Sequence, residues 1–511
     1  MNKIPRCMST QHPDNVQVPF FSDNSELQGE DEVQEAYYVF SHLGCDEQMW
    51  DYEGKEVDNF VIKKLLTTYE SYFRQNQIGK DVFITPRIPN PAVERSEAKI
   101  LLETLGSIPR SYDAAEIFRS GHPAPIYEVI LPMTVSAEDL NRIYIYYEHF
   151  VAGRNNTKLP GTDLTVGEWL GQFRPERIHV IPLFEAVEHM LSAAEVMDEY
   201  LRDKPLEYHR VFLARSDPAM NSGLVSTVLA NKIALQRLDQ LEKRLGKPLY
   251  PILGVGSAPF RGHLKPATVE QVVQEYPSVQ TFTIQSAFKY DYPALQVGQA
   301  IRRLHELPRR PAQSVDEKRC FEIMGKYTQA YREAVMELAG VINNVAAYVP
   351  RRRKRKLHIG LFGYSRNVNG VSLPRAISFT ASLYTIGLPP ELLGLNSLSD
   401  EDLAFLRQTY INFEADLQAA LRFADLDNPF LSPELRRAID RLGIMAEVNQ
   451  EHLEISRQVV EAVRNNRFHR LDEWILQAAN LRQYLGRDEF VESKRLPLNG
   501  LRGSLLVSRR V

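Results

Sequence analysis

The stretch "IHVIPLFE" (residues 178–185) poses the first structural question of this 511-residue chain. After His179 come five successive apolar residues or prolines, and then the run ends on a carboxylate, Glu185. A near-continuous apolar run without in/out alternation suits a strand covered on both faces, as in a parallel sheet under helices. The stretch "HRVFLARSD" (209–217) has the same form and ends on Asp217.

Working outward, similar runs recur: "AYYVFSHLG" (36–44), "DVFITPRIPNP" (81–91), "IYEVILPMT" (126–134), "LYPILGVG" (249–256), "TFTIQSAFKY" (281–290) and "LHIGLFGYSR" (357–366). Helical patterns such as "VSTVLANKIALQRLDQLEKRLG" (225–246) fill the gaps. Eight candidate strands alternating with helices predict an α/β fold, a (β/α)8 TIM-type barrel, with a doubly wound sheet as the alternative. From about residue 395 the pattern is helical throughout, and Ser432-Pro433 has the form of an N-cap with a first-turn proline. The expected organisation is a barrel catalytic domain over 1–395 and a C-terminal α-helical region over 396–511 packed upon it.

Composition narrows the function. Lys and Arg number 61 against 65 Asp and Glu, a net charge of -4, so no global field draws in nucleic acid or an anionic membrane. Three widely spaced cysteines, Cys7, Cys45 and Cys320, suit neither a disulfide framework nor a zinc motif and fit a reducing cytoplasm. The amino end lacks the apolar core of a signal peptide, and no apolar run approaches the ~18 residues of a spanning helix. The run "RRRKRK" (351–356) precedes the last candidate strand and is therefore expected at the structural face of the barrel, as a solvated loop.

In a barrel the chemistry collects where strands finish. Here the finishing residues are polar: Arg87 at the second candidate strand, Glu185 at the fourth, Asp217 at the fifth, Arg261 after a glycine turn at the sixth, Gln285 and Lys289 at the seventh, Arg366 at the eighth, with Arg375 nine residues on. Two carboxylates on adjacent strand ends repel unless they share a cation, and Mg²⁺ or Mn²⁺ prefers such oxygen ligands. The plainer reading is that each carboxylate caps the following helix or pairs with a neighbour such as Arg215. A group of arginines at one mouth suits a substrate carrying phosphate or carboxylate. The loops "ILGVGSAPFRGH" (252–263) and "GYSRNVNG" (363–370) allow backbone N–H groups to approach an anion.

Several segments together, "STQHPDN" (9–15), "CDEQMWDYEGKEVD" (45–58), "FITPRIPNP", "EVILPMT", "IPLFE", "FLARSDPAMNSG" and "GYSRNVNGVSLPRAISF", resemble the short, archaeal-type phosphoenolpyruvate carboxylases. The resemblance implies a Mg²⁺- or Mn²⁺-dependent enzyme, usually a tetramer, that makes oxaloacetate and phosphate from phosphoenolpyruvate and bicarbonate. It also implies roles. "QHPDN" is similar to the catalytic-histidine motif of the longer branch, giving His12, while "PLFE" and "RSD" match its metal-ligand segments, giving Glu185 and Asp217. "GYSR", "LPRAISF" and "FRG" look like its arginine segments, giving Arg366, Arg375 and Arg261 as catalytic groups. Arg87, Gln285 and Lys289 are read as substrate-binding. The longer branch has a lysine where Met220 stands and a second arginine in the glycine-rich loop, which leaves Lys55 and Lys289 as candidates for the missing cation.

Overall fold

The computed structural model describes residues 3–53, 57–95, 98–353, 366–368 and 371–465. Eight parallel strands close into a barrel in chain order: β1 (Cys7–Ser9), β2 (Glu47–Asp51), β3 (Phe83–Arg87), β4 (Glu128–Leu131), β5 (His179–Phe184), β6 (His209–Ala214), β7 (Leu249–Gly254) and β8 (Thr281–Ile284). Closure is made by β1 against β8, with Cys7, Met8 and Ser9 opposite Phe282, Thr283 and Ile284. That pairing excludes a doubly wound sheet, which leaves two open edges.

Six of the expected strands stand in the barrel, and two do not. "AYYVFSHLG" is helical: the helix Glu30–Tyr38 runs on into a π turn, Val39–Leu43, ending at Gly44 with φ 78°. Val33, Ala36, Val39, Phe40 and Leu43 are buried at helical spacing. A nine-residue window cannot separate that period from a buried strand. The second exception, 357–366, lies outside the described residues except for Arg366, and the barrel is complete without it. Arg366 does not end a barrel strand. It opens β9 (Arg366–Val368), which forms a two-stranded antiparallel ribbon with β10 (Val371–Leu373).

The strands that take those two places carry little apolar signal. β1 has three residues, and β2, "EQMWD", is buried along its whole length although three of its five residues are polar or charged. Each strand-end assignment therefore moves up by one: Arg87 closes β3, Glu185 follows β5, Asp217 follows β6, Arg261 follows β7, and Gln285 and Lys289 follow β8.

The barrel interior explains how β2 tolerates its charges. Glu47, Glu128, Arg210 and Thr281 come one from each even-numbered strand and meet as a layer. The Arg210 guanidinium donates to Glu47 Oε2 at 2.7 Å, Glu128 Oε2 at 2.9 Å and Thr281 Oγ1 at 3.2 Å. Alternate strands contributing four side chains per layer is the packing rule of such barrels. Further along the axis lie Met8, Ile181 and Ile252, then Met49, Ile130 and Phe212, members of an apolar cluster distinct from the larger one between strands and helices.

Beyond the ribbon the described residues, up to 465, form helices: Ala376–Thr385, Asp400–Thr409, Phe413–Leu421, Pro433–Leu442 and Gln450–Arg464. Ser432 caps its helix as its sequence suggests, accepting from Leu435 N–H at 3.2 Å. These helices reach the barrel through polar contacts as well as apolar ones: Asn412 N–H donates to Glu275 at 2.6 Å, and Arg319 and Lys326 both hold Asp402.

Removing one member of the inner ion group strands the others in a dry interior, which costs about 3–5 kcal/mol. Arg210→Met is accordingly expected to lower unfolding free energy by about that amount in urea titrations. An unchanged midpoint and slope contradicts the role given to Arg210.

Candidate functional site

At the carboxyl ends of the strands lies a cavity of about 390 Å³. Glu185 and Asp217 reach it together because β5 and β6 are adjacent and in register, Leu183 opposite Phe212 and Phe184 opposite Leu213. Glu185 begins the segment after its strand, while Asp217 sits in the first turn of the helix Ser216–Ser222. The Glu185 carboxylate is oriented from a third strand end: its Oε2 accepts the Met133 N–H at 2.9 Å, and Met133 holds a left-handed backbone, φ 49°. Arg215, the partner imagined for these carboxylates, donates instead to the Phe260 carbonyl at 3.4 Å, fully buried.

Among the described residues seven arginines and three carboxylates line the cavity: Arg87, Arg215, Arg261, Arg351, Arg352, Arg353 and Arg375 against Glu53, Glu185 and Asp217. Several are already engaged. Arg87 makes a two-pronged pair with Asp51, both bonds 2.8 Å, and a third contact with Glu53 at 2.9 Å. Burial opposes its charge, but Asp51 and Glu53 outweigh burial and hold the guanidinium well above its ordinary pKa. Arg261 is aimed by three groups, Ser216 Oγ at 3.1 Å, Asp14 Oδ2 at 3.0 Å and Gln285 Oε1 at 2.6 Å. Gln285 is thus both a wall residue and a brace for Arg261.

Glycines make this close approach possible. A Cβ on Gly256 would lie 2.9 Å from Gln285 Oε1 and 3.1 Å from Arg261 Cζ, and Gly262 adopts φ 114°. In this loop the glycines serve the arginine itself, closing a turn in which Gly256 N–H donates to the Arg261 carbonyl at 2.7 Å.

His12 lines the cavity from the segment after β1, with Nδ1 2.8 Å from Thr10 Oγ1. Arg375 reaches the same cavity from the N-cap position of the helix Ala376–Thr385. Lys289 does not. It is wholly buried beside the cavity, held by Glu35 at 2.7 Å, the Thr10 carbonyl at 2.9 Å and Ser9 Oγ at 3.0 Å, and burial lowers its pKa. It supports the His12 segment from behind. The Arg366 side chain and Lys55 lie outside the described residues.

The described part of the basic run, residues 351–353, is not at the structural face. Its first three residues line the cavity mouth. Arg353 is buried against Glu35, at 2.6 Å and 2.8 Å, and Glu32, at 3.2 Å; Arg352 donates to the Val16 carbonyl at 3.1 Å; Arg351 is exposed. The sequence carried no sign of this, because the partners lie more than 300 positions away. Asp14, Ser216, Asp51 and Glu53 were likewise missed as site residues; they lie inside segments whose motifs were recognised, but only the fold reveals that they hold arginines.

Among the described residues one other group has metal-ligand chemistry, Cys7, Asp46 and His305, at the opposite end of the barrel. It is built as an ion pair. His305 Nε2 lies 2.8 Å from Asp46 Oδ2, and its hydrogen bond to Asp46 raises the imidazole to about 10, so the pair carries opposite charges at neutral pH.

Comparison with known proteins gives a consistent family. The family model described as phosphoenolpyruvate carboxylase matches residues 4–486. The phosphoenolpyruvate carboxylase of Methanothermobacter thermautotrophicus is 54% identical over 95% of this chain and all of its own length; that of Methanospirillum hungatei is 53% identical with the same coverage. The Halobacterium salinarum protein of that name is 46% identical over 95% of this chain. Among solved structures, an HpcH/HpaI aldolase from Desulfitobacterium hafniense aligns at TM-score 0.31 and 16% identity, covering 60% of this chain and 95% of its own.

Gly256→Ala tests the crowding around Arg261. The added methyl is expected to displace the guanidinium and lower kcat/KM roughly tenfold, about 1.4 kcal/mol, with little change in melting temperature. Wild-type kinetics in a folded variant shows that Arg261 needs no such placement.

Proposed function

Because the chain belongs to the phosphoenolpyruvate carboxylase family, we propose that it joins bicarbonate to phosphoenolpyruvate, giving oxaloacetate and phosphate. The observation that carries the reading is the convergence of Glu185, Asp217, His12, Arg87, Arg261 and Arg375 on one cavity of about 390 Å³, within the range usual for small-molecule sites. Arg366 joins the proposed set on the strength of its motif.

The chemistry asks for three things. A bicarbonate oxygen attacks phosphorus, and the bond from phosphorus to the enol oxygen breaks, leaving carboxyphosphate and the enolate of pyruvate. Carboxyphosphate then breaks its carbon–oxygen bond to release phosphate and carbon dioxide, and the enolate carbon attacks that carbon dioxide. Arginines fixed around the phosphoryl group take up its charge without reorganising. In this reading His12 accepts the hydroxyl proton of carboxyphosphate as carbon dioxide leaves. Enclosure keeps water from the enolate, which it would otherwise protonate to pyruvate.

Glu185 and Asp217 are the residues that would hold Mg²⁺ or Mn²⁺. Both are hard oxygen donors on neighbouring strand ends, and the Met133 N–H fixes the carboxylate of one. A bound ion supplies positive charge opposite the developing oxyanions. The same reading includes a homotetramer acting in the cytoplasm, with phosphoenolpyruvate and bicarbonate as partners and neither nucleic acid nor membrane. Three free, buried cysteines accord with a reducing compartment, and no helix among the described residues is long and apolar enough to cross a membrane.

A coupled oxaloacetate assay separates this reading from pyruvate kinase-like and citrate lyase-like barrel enzymes. Oxaloacetate is expected only with bicarbonate and a divalent ion both present, and with no nucleotide; dependence on ADP or cleavage of an acyl-CoA assigns the site to a rival. Asp217→Asn is expected to abolish turnover and to weaken Mn²⁺ binding, measured calorimetrically on the enzyme alone, by at least about tenfold. Unaltered Mn²⁺ affinity removes Asp217 from the ligand set.

A further inference from the structure

The turn that carries Arg261 is closed by its own bond, Gly256 N–H to the Arg261 carbonyl at 2.7 Å, and is held from the helical layer as well. Phe260, immediately before Arg261, is fully buried, and its N–H donates to Glu391 Oε1 at 2.7 Å. Glu391 lies on the short turn Pro390–Leu392, beyond the ribbon, and the same Oε1 accepts the Tyr384 hydroxyl at 2.8 Å. Two residues after Arg261, His263 holds a left-handed backbone with φ 62°, a conformation that costs a non-glycine residue free energy unless its surroundings impose it. Its backbone is bonded on both sides, N–H to the Ala258 carbonyl at 3.0 Å and carbonyl to the Thr268 hydroxyl, and its ring is fixed by Asp416, whose Oδ1 lies 2.5 Å from His263 Nδ1 and whose other oxygen accepts the Tyr410 hydroxyl. Carboxylates of the helical layer thus hold the residues on either side of Arg261, Glu391 the Phe260 N–H and Asp416 the His263 ring. The Phe260 ring is stacked between Tyr331 and Phe379, centroids 6.3 Å and 6.0 Å away.

We propose that Glu391, assisted by Asp416 on the far side of the turn, is a positioning residue for catalysis: it sets how far the Arg261 guanidinium reaches into the cavity. The inference rests on the reading in which Arg261 meets the phosphorylated substrate. None of Phe260, Glu391, Asp416 or Tyr384 lines the cavity, so their influence passes through the turn. The helical layer is then a working part of the site, because it fixes the backbone from which the guanidinium reaches Asp14, Ser216 and Gln285, and a misplaced guanidinium stabilises transferred charge poorly.

Burial pushes the Glu391 carboxyl up to about 7, against the opposing pull of its hydrogen bonds, so a neutral amide is a close substitute for it. Glu391→Gln keeps an oxygen acceptor for Phe260 N–H and is expected to retain kcat and KM for phosphoenolpyruvate within about threefold. Glu391→Leu removes the acceptor and is expected to lose roughly ten- to a hundredfold, mainly in kcat.

The deciding measurement is a double-variant cycle with Arg261→Lys. If Glu391 acts through Arg261, Arg261→Lys with Glu391→Leu is no worse than Arg261→Lys alone within about twofold. Multiplied losses, or a folded Glu391→Leu with wild-type kcat, overturn the proposal while leaving the role of Arg261 standing. Wild-type kinetics in Arg261→Lys alone overturns that role and the proposal with it. Should Glu391→Leu fail to fold, Tyr384→Phe replaces it: the ring is kept, one donor to Glu391 is lost, and a two- to fivefold loss in kcat that disappears in the Arg261→Lys background is expected.

Discussion

Taking a charge out of water costs several kcal/mol unless an opposite charge goes with it, and this constraint shapes the protein from its barrel interior to its mouth. Arg210 crosses the inside of the barrel between Glu47 and Glu128, partners 163 and 82 positions away in sequence. The pattern is repeated at the strand ends, where Arg87 is held by Asp51, Arg261 by Asp14 and Arg353 by Glu32 and Glu35. Each pair joins elements distant in the chain. The barrel is therefore tied together by ion pairs as well as by its ladders and apolar layers.

For the site, the consequence is preorganisation. A guanidinium held by a carboxylate and flanking hydroxyl or amide groups does not swing, so it faces a transferring phosphoryl group without first rearranging. Arginine suits this because its planar fork can bind a carboxylate behind the wall and keep further N–H groups directed elsewhere. The formal charge of the wall is correspondingly smaller than its arginines suggest. Asp51, Asp14, Glu32 and Glu35 stand behind it and offset much of the positive charge.

The helices beyond the barrel have a place in the same scheme. Through Glu391 they hold the Phe260 N–H, through Asp416 the His263 ring, and through Asp402 they grip the long helix Glu317–Ala346. The basic run has an equally local role. Arg353 anchors the segment in a buried pair, and Arg352 fastens it to the chain that follows His12, so His12 and the cationic rim form one unit.

The sequence by itself determined the barrel class, because apolar runs such as 178–184 and 249–253 report burial on both faces wherever they occur. It also brought out Glu185, Asp217 and Arg87, since a polar residue ending an apolar run is visible without coordinates, and Arg261 and Arg375 through the motifs that contain them. Only tertiary structure decided which eight segments form the barrel. β2 escaped notice because Glu47, Gln48 and Asp51 read as surface residues until their buried partners are known, and β1 because three residues carry no period. The basic run was misplaced for the same reason: a row of arginines looks solvated along the chain, and only the fold brings Glu32 and Glu35 to Arg353. Periodicity is local and survives in sequence; charge compensation is nonlocal and exists only once the chain has closed.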